Sequence, residues 1–142
     1  MPTVNIYNKF KFYMGNNTID MDSDQFKVAL MDSNHSFVST DTDFSQVSTN
    51  EITAGNGYSS GGKLLSNTSW TESSGVVTFD ADDVVWTASG GSIGPASHAV
   101  IYDDTATDDK LVASITFDSA ETAGDGTDFK LAFNSSGILR IT

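Results

Sequence analysis

Three features of the sequence predict an all-β fold, a single-domain antiparallel β-sandwich or jelly-roll-like barrel with a short N-terminal helix. Apolar and polar residues alternate over short runs from Phe26 onward. Clusters of Gly, Asp and Ser with turn chemistry separate those runs. Helix-length periodic segments between the runs are absent, which argues against a parallel α/β sheet. The 142 residues fit one domain, read as an N-terminal helix or arm over 1–17 followed by a β-sandwich over 18–142. A chain of this size buries roughly 70% of the surface exposed by its unfolded form, so it needs no disulfide or metal staple. It contains no cysteine, which excludes disulfides and thiolate metal sites.

The elements follow in order. Ile6, Phe10 and Met14 recur at i, i+4 and i+8 beside Tyr13, so a helix is expected there, capped by Asn5 and ended by Gly15-Asn16. It would plug one end of the sandwich; the alternative is an extended arm reaching a neighbouring subunit. Phe26, Val28 and Leu30 alternate with Lys27, Ala29 and Met31 in a strand pattern. Residues 33–57 form a long polar stretch with Phe44, Val47 and Ile52 as isolated apolar anchors. Strands are expected at Lys63 to Trp70, Val76 to Phe79 and Val84 to Trp86, separated by turns over residues 71–75 and 80–83. Ala99-Val100-Ile101-Tyr102 is apolar on both faces and suits a central strand. Leu111, Ala113, Ile115 and Phe117 are expected on one face, alternating with Val112, Ser114, Thr116 and Asp118. Phe129, Leu131 and Phe133 form another strand, and Ile138 to Ile141 closes the fold after Ser135-Ser136-Gly137.

The charge balance of 7 basic and 19 acidic residues, net −12, opposes nucleic-acid binding, which depends on Lys and Arg neutralising phosphates. Anionic membranes are disfavoured for the same reason. No basic-then-apolar targeting segment opens the chain, and no apolar run approaches the roughly 20 residues that span a bilayer.

Two glycine motifs resemble chemical signatures without their required context. Gly57-Tyr58-Ser59-Ser60-Gly61-Gly62-Lys63 matches G-x-x-x-x-G-K, but Leu64 stands where a P-loop needs Ser or Thr, and a poor helix former follows. Gly90-Gly91-Ser92-Ile93-Gly94 matches G-x-S-x-G, yet His98 is the only histidine downstream, no acid intervenes, and Pro95 opposes a helix. The first reads as a loop feeding a strand and the second as a flexible loop. The acidic pairs Asp82-Asp83, Asp103-Asp104 and Asp108-Asp109, with Asp41, Asp43, Asp125 and Asp128, read as solvated turns. Paired carboxylates can serve glycosidase chemistry or calcium, but adjacent strand residues point to opposite faces. His35 and His98 show no paired ligand spacing. Catalytic, cofactor-binding and metal residues are therefore each assigned as none. Val84 and Trp86 share a strand face, so Trp86 is expected in the core. Tyr58 and Phe37, in polar loops, are the expected exposed contact residues, and the stretches 33–57 and 87–97 are the expected contact loops.

Across its length the chain resembles a family of small tailed-phage virion proteins, variously labelled structural, head-decoration or tail proteins. The resemblance begins at Ile6-Tyr7-Asn8-Lys9-Phe10-Lys11 and continues through Phe26-Lys27-Val28-Ala29-Leu30-Met31, Asn50-Glu51-Ile52 and Gly57-Tyr58-Ser59-Ser60-Gly61-Gly62. Further on it covers Phe79-Asp80-Ala81-Asp82-Asp83-Val84-Val85-Trp86, Ala99-Val100-Ile101-Tyr102 and Ser136-Gly137-Ile138-Leu139. The order of blocks is more specific than any one of them. The resemblance implies a non-enzymatic virion component, made in the host cytoplasm, without a cofactor. The preferred member of that class is a capsid decoration, or cement, protein that binds the phage major capsid protein as a homo-oligomer, with a trimer at local threefold positions. A tail or baseplate subunit binding tail proteins is the alternative. A host carbohydrate-binding or glycosidase module is a third reading; it requires exposed aromatics beside acids in one concave site, and the burial of Trp70 and Trp86 tests it.

Overall fold

A computed structural model describes residues 2–142. Strand β1 (Thr3–Ile6) leads into helix α1 (Asn8–Gly15). Nine further strands follow: β2 (Phe26–Met31), β3 (Lys63–Leu64), β4 (Ser69–Ser73), β5 (Val76–Asp80), β6 (Val84–Thr87), β7 (Ile93–Asp103), β8 (Lys110–Ala123), β9 (Asp128–Leu131) and β10 (Leu139–Ile141). All strand pairs are antiparallel. They form a five-stranded sheet in the order β1-β8-β7-β2-β3, a three-stranded sheet β10-β5-β4, and a ribbon β6-β9. The protein is all-β with one short N-terminal helix, and residues from all three sheets share the main apolar core.

The helix begins later than its apolar spacing predicts. Ile6 belongs to β1, whose residues pair from Thr3↔Thr116 to Ile6↔Ala113. Val4 and Ile6 are β-branched and favour extended backbone, and the edge of β8 offers ladder hydrogen bonds that an isolated helical turn cannot match. Asn5, the expected cap, is therefore a strand residue; Tyr7 takes the cap position in extended conformation and contributes no side-chain cap. The predicted stop is correct: the helix ends at Gly15, and the Asn16 N–H closes onto the Phe12 carbonyl. Of the predicted stripe, Phe10 is fully buried, and Ile6, Tyr13 and Met14 pack against the same core.

The five-stranded sheet is covered on both faces, as the apolar run 99–102 implies. Phe26, Val28 and Leu30 of β2, with Ala99 and Ile101 of β7, face the main core. Ala29, Met31, Val100 and Tyr102 face a second cluster completed by Tyr7, Phe44 and Val47. The polar stretch after β2 is thus a cover for this second face. It carries two short 3-10 turns, Phe44–Gln46 and Ser48–Asn50. Asp43 and Gln46 cap the first turn reciprocally, and the Phe44 ring stacks on Tyr102 at 4.3 Å. Phe44, Val47 and Ile52 are all buried, as expected.

Four strand assignments change; in one, β7 begins at Ile93, inside the expected contact loop 87–97, rather than at Ala99. Lys63 to Trp70 is two strands in different sheets: β3 pairs with β2, the chain turns at buried Leu65, and β4 pairs with β5. β4 extends through Thr71, Glu72 and Ser73, so the expected five-residue turn shrinks to Ser74-Gly75. Both residues have positive φ, 53° and 84°, the two-residue geometry whose twist matches antiparallel strands. Phe133 lies beyond the end of β9; its N–H is bound by Asp83. In β8 the alternation breaks at Val112. Ile101 pairs with Ala113 while Tyr102 pairs with Leu111, leaving Val112 as the extra residue of a bulge. Leu111 therefore joins the second cluster, while Val112, Ala113 and Ile115 face the main core.

Candidate functional site

The loop before β3 spends its polar groups within the fold. The Gly62 Cα lies against β2, where an added Cβ would fall 1.9 Å from the Val28 carbonyl oxygen. Lys63 donates to the Val85 carbonyl at 2.6 Å, and β3 rather than a helix follows. Tyr58, expected to be exposed, is only 2% exposed. Its hydroxyl donates to Glu51 Oε2 at 2.6 Å and accepts the Leu30 N–H at 2.8 Å. Glu51 also accepts the Gly61 N–H and the Ser60 hydroxyl, and Tyr102 donates its hydroxyl to the Gly61 carbonyl. The physical reason is the short β3. It pairs only with Lys27 and Val28, so the groups of Leu30 need other partners. The Ile52 N–H meets the Leu30 carbonyl, and Tyr58 meets its N–H. Phe37, the second expected contact residue, is half-buried and packs on Tyr7 at 4.9 Å.

The second glycine motif turns into strand β7, not into a helix. The Gly90 N–H is held by Asp125, and Asn56 donates to the Ser92 carbonyl. Gly94 lies so close to the β8 backbone that a Cβ would sit 2.6 Å from the Glu121 carbonyl oxygen. Ser92 is exposed, and the His98 ring is engaged elsewhere.

Sequence spacing does not show that His35 and His98 meet. Their rings pack edge to face at 5.0 Å, where the cover segment crosses β7. His35 Nε2 lies 3.0 Å from Ser114 Oγ, and His98 Nδ1 lies 3.2 Å from Thr116 Oγ1. Burial, and then the charge of His98, push the His35 pKa down to about 4, against the smaller opposing pull of Asp32. His98 is lowered chiefly by burial. Tyr7 is buried beside them without a hydrogen-bond partner for its hydroxyl. Burial raises its pKa to about 12, opposed by the neighbouring Ser114 hydroxyl. A hydroxyl with an imidazole at 3.0 Å is a nucleophile–base arrangement. Here both residues are buried, so a substrate cannot reach Ser114 in this conformation. The sequence signal was parity: His98, Val100 and Tyr102 share a strand face.

The acidic pairs divide. Asp82 accepts from Asn67, Asp83 faces Lys130 at 3.6 Å, Asp104 faces Lys27 at 3.6 Å, and Asp43 binds Lys110 at 2.7 Å. Asp103, expected in a solvated turn, is instead the buried last residue of β7. Its Oδ1 accepts the Thr105 and Ala106 N–H groups, while Oδ2 is buried without a hydrogen-bond partner. Burial, and then the neighbouring Asp24 carboxyl group, raise its pKa to about 7. Among the described residues, no group of three or more His, Asp or Glu side chains is placed to hold a metal ion.

Trp86 is buried, 3% exposed, between Tyr58 and Phe129. Trp70 is half-buried and lines a cleft of about 250 Å³ with Asp20 and Asp22. A longer depression begins beside β8 and β9 and ends between β1 and β10. It consists of three adjoining clefts of about 440, 270 and 460 Å³. All three include Pro2; Leu131 and Ala132 join the first to the second, and Val4, Gly137 and Ile138 join the second to the third. Comparison with protein-family models, with curated proteins and with solved structures finds no match to this chain.

Proposed function

We propose that this protein is a structural component of a tailed-phage virion, and that it acts as a capsid decoration protein binding the phage's major capsid protein. The observation that carries this reading is the ordered series of sequence blocks from Ile6 to Leu139 that resembles small virion proteins. The fold gives several blocks a common role. Phe26–Met31 and Ala99–Tyr102 are the central strands, and Glu51 with the loop 57–62 forms the polar junction that closes the edge of β2. The mechanism is mass action: many copies that bind only the assembled shell shift the equilibrium toward it. The net charge of −12 supports docking on basic shell surfaces, with steering that weakens as salt rises.

The test mixes purified protein with shells that lack it and measures stoichiometry and shell melting. Saturable binding with a raised melting temperature is the expected outcome. Assembly onto tails without binding to shells would move the protein to the tail and overturn the head assignment. Binding to neither, with specific retention on host polysaccharide, would favour the cleft beside Trp70 and overturn the virion reading.

A further inference from the structure

We infer that residues 33–41 form a strap that opens when His35 takes up a proton, uncovering Tyr7, His98 and Ser114. The inference starts from how the segment is fastened. At its root the Asp32 N–H donates to the Asn50 carbonyl at 2.8 Å, and at its far end the Leu111 N–H donates to the Thr42 carbonyl at 2.9 Å. The ion pair of Lys110 with Asp43 reinforces that far end. Between these anchors the fastenings are few. The Asn8 N–H meets the Ser39 carbonyl at 2.9 Å. The side-chain amides of Asn8 and Asn50 make long, exposed contacts of 3.5 and 3.4 Å to Ser39 and Asn34. Of residues 33–41 only His35 is buried, and Phe37 is half-buried against Tyr7. One titratable side chain is thus the main inward anchor of the strap.

The surroundings of that anchor do not suit a cation. The His35 ring meets His98 of β7 edge to face at 5.0 Å and the Ser114 hydroxyl of β8 at 3.0 Å. Tyr7, at the junction of β1 and α1, adds a neutral hydroxyl that is itself buried without a hydrogen-bond partner. Carboxylates stand only toward the ends of the strap. Asp32 attracts both rings, but at His35 its pull is smaller than the effects of burial and of His98. Asp41 faces Tyr7, and burial raises its own pKa, so it takes up a proton in acid and resists opening. His98, half-buried, is the easier of the two rings to charge. A proton on His35 then sets two cations side by side, one of them cut off from water. Opening returns that ring to water, so acid drives the strap open by proton linkage. The sheet beneath keeps its cover, because Phe44 and Val47 pack on it from beyond the strap. The inference does not depend on the virion assignment.

The experiment follows amide hydrogen exchange in the intact protein by NMR at about pH 7.5 and about pH 5, with each rate divided by the intrinsic chemical rate at that pH. The ring titrates at its ordinary 6.5 in the open strap and at about 4 in the closed one. The opening equilibrium should therefore rise roughly ten- to thirtyfold between the two conditions. The rise should appear at His35 and at Asn8, whose N–H is held by Ser39. It should be absent at Leu111 and Ile52, whose N–H groups are held beyond the ends of the strap. His35→Gln keeps an amide for Ser114 but cannot titrate, and should remove the rise. If that variant does not fold, His98→Gln, which deletes the repelling charge and leaves His35 to titrate, should cut the rise severalfold. Phe37→Ala should speed exchange equally at both pH values, as loss of a contact without a proton does. A full rise in His35→Gln or His98→Gln, an equal rise at Leu111 and Ile52, or a rise below about twofold in the parent would overturn the inference.

Discussion

Tyr58→Phe isolates one hydroxyl at the junction that replaces a missing strand. The ring, packed toward Trp86 at 5.8 Å, is retained, so the cavity term is small. Two hydrogen bonds are lost. The bond to Glu51, at 2.6 Å, is charge-assisted, and such bonds contribute about 1.5–3 kcal/mol. The Leu30 N–H, buried under Tyr58, is left without a partner at a cost of about 1–3 kcal/mol. Glu51 is half-buried and keeps Gly61 and Ser60, so water and these donors recover part of the first loss. The expected destabilisation is about 2–4 kcal/mol, measured by urea denaturation with an unchanged slope. Tyr102→Phe removes one bond to the Gly61 carbonyl and should cost about 1 kcal/mol, which sets the scale. A loss below about 0.5 kcal/mol for Tyr58→Phe would refute the view that this hydroxyl completes the edge of β2.

Trp86→Ala should destabilise by about 3–5 kcal/mol in the same assay, because the indole is packed between Tyr58 and Phe129; a value near 1 kcal/mol would contradict its burial. Gly62→Ala should cost about 3 kcal/mol or more, since its φ of +82° and the Val28 carbonyl leave no room for a Cβ; wild-type stability would refute that packing. Two buried groups set opposite pH dependences. The folded pKa of His35, about 4, is below its ordinary 6.5, so the unfolded chain binds the proton first and stability falls as pH drops from about 6.5 to 4. The folded pKa of Asp103, about 7, is above its ordinary 3.8, so stability falls as pH rises from about 4 to 7. The parent should therefore show a shallow profile across this window. Asp103→Asn, which keeps the Oδ1 acceptor, should be the more stable protein by a few kcal/mol at pH 8, converge with the parent near pH 4, and show the unmasked acid-side loss. Parallel melting curves for parent and variant from pH 4 to 8 would refute the raised pKa of Asp103.

Alternation of apolar residues determined the class of this fold, because a strand must send successive side chains to opposite faces whatever surrounds it. The double-sided apolar run Ala99–Tyr102 placed the central strand, and the isolated anchors Phe44, Val47 and Ile52 identified a polar segment that nonetheless packs down. Turn chemistry separated the strands, and both glycine loops were legible as structural from their missing context. Other features needed the tertiary structure. Ile6 fits a helical stripe locally, and only the open edge of β8 makes it a strand residue. The bulge at Val112 is a matter of register between β7 and β8, which no single strand encodes. Tyr58 lies among Gly and Ser in the sequence and reads as exposed. It is buried because the ladder beside β2 stops at Val28 and leaves Leu30 needing a donor and an acceptor from elsewhere. His35 meets His98 and Ser114, and Asp103 meets Asp24, across separations that only chain closure spans. The depression between β1 and β10 belongs to the same class: each edge is ordinary alone, and the arrangement of the sheets sets the two side by side.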